Sequence, residues 1–126
     1  MLPPQLIDEV EELRKAGWQI DLFESDGLAC MVFPDYQLPA AYNRNRTRLL
    51  LKFPMSYPSG KPDMFWTEKD VLLKDGRVPQ KGDVMEMFRG EQWRRFSWHA
   101  QSWNPATDNL RTYLEFVARG LIAAAS

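Results

Sequence analysis

Apolar residues in the first stretch of the chain recur at helical spacing. Leu6, Ile7, Val10 and Leu13 stand among Glu, Asp, Arg and Lys between Gln5 and Ala16, so one side of the turn is apolar and the other charged. Pro3 and Pro4 suit a helix start, where an amide would lack a partner anyway, and Gly17 supplies the stop. This predicts an amphipathic N-terminal helix.

The period then shortens to two. Trp18 to Glu24 alternates apolar and polar residues, Ser25-Asp26-Gly27 signals a turn, and Leu28 to Phe33 runs apolar, which predicts an antiparallel strand pair. Thr47 to Phe53, closed by Pro54, predicts a third strand. Pro54 to Pro62 holds three prolines and Gly60, so it is an extended loop, because proline removes amide donors and fixes the chain. Asp63 to Thr67 predicts a short fourth strand. Between 68 and 92 the apolar residues are scattered among Asp75-Gly76, Pro79, Gly82 and Gly90, and an irregular crossing is expected, with one strand around Val71 to Leu73. From Thr107 the helical spacing returns at Leu110, Tyr113, Leu114, Val117 and Leu121, with Thr107 or Asp108 as the cap. The expected architecture is therefore α+β: a helix, a four-stranded antiparallel meander, an irregular segment and a C-terminal helix, in a single domain over 1–126.

Composition narrows the function classes. The 126 residues are 44% hydrophobic and 26% charged, which fits one domain with a real core. Lys plus Arg total 16 against 17 for Asp plus Glu, so no net field draws nucleic acid or an anionic membrane, and neither is expected as a partner. No apolar run approaches the roughly 20 residues that span a bilayer. The one cysteine, Cys30, has no internal disulfide partner, and no basic stretch followed by an apolar run opens the chain, so a reducing cytoplasm is the expected compartment. With one His and one Cys there is no metal-ligand cluster and no glycine-rich phosphate loop, and no cofactor is expected.

Three local patterns fall in one order. Phe53-Pro54-Met55-Ser56-Tyr57-Pro58-Ser59-Gly60-Lys61-Pro62 is a strand end followed by a Tyr-Pro step and a further proline. Trp103-Asn104-Pro105-Ala106 precedes the C-terminal helix, and an amphipathic helix opens the chain. In these features, with Tyr57, Pro58, Pro62, Trp103 and Pro105 as the motif residues, the chain resembles the ubiquitin-conjugating enzyme superfamily. The stretches Lys61-Pro62-Asp63-Met64-Phe65-Trp66, Leu72 to Pro79 and Trp93-Arg94-Arg95-Phe96-Ser97-Trp98-His99 resemble a bacterial branch, prokaryotic ubiquitin-conjugating family E. The resemblance implies the ubiquitin-conjugating fold and two partners, a ubiquitin-like protein and an adenylating activating enzyme. It also implies that the first helix docks the activating enzyme, with Leu6, Glu9 and Arg14 as candidate contacts.

That superfamily holds its acyl group on a cysteine thiolate. Counted back from Trp103-x-Pro105, the cysteine would fall among Arg94, Arg95, Phe96 and Ser97, none of which is cysteine. The upstream His-Pro-Asn motif is missing too. Cys30, in the second strand, reads as a small buried hydrophobe. What the window does hold is Ser97-Trp98-His99, with the only histidine of the chain. In an extended backbone residues two apart share a face, so the hydroxyl could give its proton to the imidazole and attack an acyl carbon. His99 alone could instead serve as a base for an incoming amine, with Asp63, Asp83 or Glu86 as its orienter. The plain alternative is a loop serine beside a partly packed histidine, in a binding module that positions a ubiquitin-like protein without chemistry. Arg94 and Arg95 could grip a carboxylate or a partner's acidic surface, or be solvated charges.

Overall fold

A computed structural model describes all 126 residues. Helix α1 spans Pro4–Lys15 and α2 spans Leu110–Ala124. Between them lie β1 (Asp21–Ser25), β2 (Leu28–Gln37), β3 (Arg46–Pro54), β4 (Phe65–Glu68), β5 (Val84–Phe88) and β6 (Glu91–Phe96). The strands form one antiparallel sheet in the order β1-β2-β3-β4-β6-β5. The α+β order is the expected one, with six strands in place of four. No helix is long and apolar enough to cross a membrane.

The two additional strands, β5 and β6, take up the end of the expected irregular crossing and run past it to Phe96. Their two-residue turn, Arg89-Gly90, joins Phe88 to Glu91 with φ of 51° and 82°. Asp26-Gly27 makes the same turn between β1 and β2, with φ of 53° and 76°. Both positions of such a turn need positive φ, which Asp-Gly advertises and Arg-Gly does not. The strand expected around Val71 to Leu73 is instead a loop with a single bridge from Leu73 to Tyr42.

Strand alternation sends side chains to two unequal faces. Met31, Leu49, Leu51, Phe53, Phe65 and Phe96 meet Leu6, Val10 and Leu13 of α1 and Leu110, Tyr113, Val117 and Leu121 of α2 in the main core. On the other face Cys30, Leu50, Trp66, Phe88 and Trp93 form a smaller cluster with no helix over it. The Arg48 guanidinium lies over Trp93, and the Lys52 ammonium lies over Trp66 and Phe88, so cations stacked on the aromatic rings cover that face. Burial pushes the Cys30 thiol above its usual range, as expected of a small hydrophobe in a strand.

Two features fix α2. Asn109, rather than Thr107 or Asp108, caps it: the Asn109 side chain accepts from Thr112 N at 3.0 Å, and Thr112 Oγ1 accepts from Asn109 N at 2.9 Å. Asp108 is engaged one turn earlier, where its carboxylate accepts from Asn104 N at 2.8 Å. Gly120 faces Phe65 so closely that a Cβ there would stand 3.1 Å from the ring, and its bareness lets the helix lie against β4.

Candidate functional site

The segment from Pro58 to Asp63 runs beside the loop from His99 to Trp103, and three contacts strap them together. Trp103 Nε1 donates to Pro58 O at 2.8 Å, Lys61 Nζ donates to Ala100 O at 3.1 Å, and His99 Nδ1 lies 2.8 and 2.9 Å from the two oxygens of Asp63. Tyr57, at the head of this segment, is buried against Phe53 and Trp103 and donates its hydroxyl to Glu9. Glu9 Oε1 also accepts from Leu110 N at 3.2 Å, so one carboxylate ties α1, the proline loop and the start of α2 together. Pro62 is buried and Pro105 is exposed, each in the loop where the sequence puts it.

The carboxylate of Asp63 can only accept, so the proton belongs on Nδ1 and the lone pair on Nε2. His99 is half-exposed at the edge of a cleft of about 340 Å³ between the strapped loop and α2. Trp103, Tyr113 and Phe116 give the cleft aromatic walls; Asp108, Glu115 and Arg119 give it charge. An oriented imidazole beside a cleft with apolar walls and nearby carboxylates can take a proton from a nucleophile seated there.

The structure divides the other residues singled out from sequence. Ser97 does not meet His99. Its hydroxyl accepts from Arg95 Nε at 3.0 Å, and Arg95 in turn donates to Glu86 at 3.1 Å, whose other oxygen accepts from Trp66 Nε1 at 2.6 Å. Arg95 is opposite Trp66 in the ladder, so this chain of bonds belongs to the sheet face away from the helices. The extended backbone that would have put Ser97 and His99 on one face stops at Phe96, where β6 ends.

Arg94 is neither a free grip nor a solvated charge. It is 6% exposed, donates to Gly82 O at 2.6 Å and Lys69 O at 2.8 and 3.2 Å, and burial lowers its pKa. On α1, Leu6 is fully buried in the main core, which corrects its expected place on a docking face. Glu9 is the internal tie just described. Arg14 donates to Ile20 O at 2.6 and 3.2 Å and to Glu11 at 2.6 Å, so it closes the turn into β1 while remaining accessible. Of the three carboxylates considered as orienters, Asp63 reaches His99, whereas Glu86 serves Arg95 and Trp66.

The wall residues of α2 were missed in the sequence. Thr112, Glu115, Phe116 and Arg119 are three and four apart, so they form one flank of the helix beside its buried stripe. That spacing is visible in the sequence; what it faces is set by where Trp103 docks. No group of His, Cys, Asp and Glu side chains stands close enough to hold a metal ion.

Comparison with known proteins agrees with this architecture. No curated protein and no solved structure matches the chain. A family profile described as Prokaryotic E2 family E matches residues 6–124, nearly the whole length and both strapped segments. The chain therefore belongs to prokaryotic E2 family E, an E2-like branch of ubiquitin-like conjugation, and carries its one cysteine in the core of a strand.

Proposed function

We propose that the protein takes part in transferring a ubiquitin-like protein from an adenylating activating enzyme to an acceptor amine, with His99, oriented by Asp63, as the site's base. The observation that carries this reading is the pairing of His99 Nδ1 with both oxygens of Asp63 at the mouth of the cleft. A carboxylate on Nδ1 holds the ring in one tautomer, directs the Nε2 lone pair outward and stabilises the imidazolium formed when it takes a proton. Aromatic walls with Glu115 and Asp108 suit an amine on an apolar stem.

One observation favours a second reading, a silent module that positions a ubiquitin-like protein for another enzyme. Where the superfamily's thiol is expected, Arg94, Arg95 and Ser97 are all bonded within the fold. The two readings separate in a reconstituted reaction containing the activating enzyme, ATP, the ubiquitin-like protein and an amine acceptor. Under the base reading His99→Ala lowers the conjugation rate by about 10²- to 10⁴-fold, and Asp63→Asn lowers it less. Unchanged rates in both variants would leave only the silent module.

A further inference from the structure

Several side chains that line the cleft could in principle carry an acyl group, and all but one hydroxyl is already committed. The Thr112 hydroxyl accepts from Asn109 N and donates to Asn109 O in the cap of α2. Tyr113 donates to Met64 O at 2.6 Å, and burial holds its phenol above the usual range. Ser97 lies outside the cleft and is bonded to Arg95. Ser102 lines the cleft with His99, is exposed, and its hydroxyl is free of any intramolecular bond. The strap fixes its neighbours on both sides, His99 through Asp63, Ala100 through Lys61 and Trp103 through Pro58. A free hydroxyl is thus carried on a pinned loop three residues from an oriented imidazole, in the same concavity.

From this arrangement we infer that Ser102 is the acyl-accepting nucleophile of the cleft, with His99, held by Asp63, as the base that takes its proton. The inference rests on the base reading above. In the first step Ser102 Oγ bonds to the C-terminal carbonyl carbon of the ubiquitin-like protein, presented as an acyl adenylate. The carbon–oxygen bond to phosphate breaks, AMP leaves with the electron pair, and the hydroxyl proton passes to His99 Nε2 and then to solvent. In the second step the amine attacks the oxyester. His99 takes its proton and returns it to Ser102 Oγ as the ester bond breaks, so the amide forms and the enzyme is restored.

The test uses the full chain with the activating enzyme, ATP and the ubiquitin-like protein, with the amine first withheld and then added. The expected product without amine is a one-to-one adduct that survives reductant, is cleaved by mild alkali and maps to Ser102 by peptide mass. Ser102→Ala loses the adduct and conjugates at least about 100-fold more slowly. Ser102→Cys restores an adduct, now cleaved by reductant, which shows that the variant loop is folded and the position is reached. An adduct mapped to another residue, or conjugation at the wild-type rate in Ser102→Ala, overturns the assignment. If His99→Ala abolishes conjugation while Ser102→Ala does not, the base stands and the nucleophile falls. If the wild-type protein yields neither adduct nor conjugate, both fall.

Discussion

Ser97 and His99 are separated by one residue, yet they belong to opposite sides of the molecule. Ser97 ends a chain of bonds through Arg95 and Glu86 to Trp66 on the sheet face that no helix covers. His99 has turned to the helix side, where Asp63 holds it against the cleft beside α2. In the first region these linked polar groups are spent on the structure itself. The second leaves a lone pair, a hydroxyl and several charges facing solvent. Proximity in the sequence made a pair of them; the end of β6 takes the pair apart.

That contrast can be broken at three points. The largest effect should come from loosening the strap. Trp103→Phe keeps an aromatic ring but removes the donor to Pro58 O, and a base displaced by a fraction of an ångström should cost about ten- to a hundred-fold in conjugation rate. Paired kinetic and thermal-melting measurements check this, since a rate loss that merely tracked lost stability would mean the strap does not position the base.

Next in size is the buried cation of the structural side. Arg94→Met leaves the Gly82 and Lys69 carbonyls without their donor inside the fold and should destabilise the protein by about 2–3 kcal/mol. Urea unfolding at neutral pH reads it directly. A change below about 0.5 kcal/mol, in the range of ordinary surface substitutions, would put Arg94 back among the solvated charges.

The smallest effect belongs to Ser97. Ser97→Ala removes one neutral acceptor from a half-buried arginine that keeps Glu86, so stability should fall by about 1 kcal/mol or less. Conjugation should stay within about twofold in the same assay, because no polar atom of the cleft is touched. A loss as large as that of His99→Ala would rejoin the two residues into one site.

The fold was legible wherever local chemistry and tertiary role agree. The α1 stripe of Leu6, Val10 and Leu13 is both periodic and buried, and Asp26-Gly27 states its turn openly. The β5–β6 hairpin was hidden because Arg89 takes a left-handed conformation seldom given to arginine, and because Met85 and Met87 are apolar but exposed on an edge strand. Among the site residues, His99 stood out as the only histidine, and Asp63 was one of three carboxylates with equal claim. Choosing between them required the strap, which joins residues 36 apart and has no local signature. Arg94 and Arg95 look alike in sequence; one faces the interior and one the rim, a difference that strand alternation makes and composition cannot.

Gly120 carries a consequence for the width of the cleft. Its missing side chain lets α2 settle onto Phe65, and Phe116 and Arg119, on the turn before it, form part of the cleft wall. The glycine therefore sets how closely α2, one wall of that cleft, lies against β4. A single methyl at this position would stand 3.1 Å from the Phe65 ring, so ring or helix would have to give by a few tenths of an ångström, and the placing of that wall is gauged by an atom that is not there.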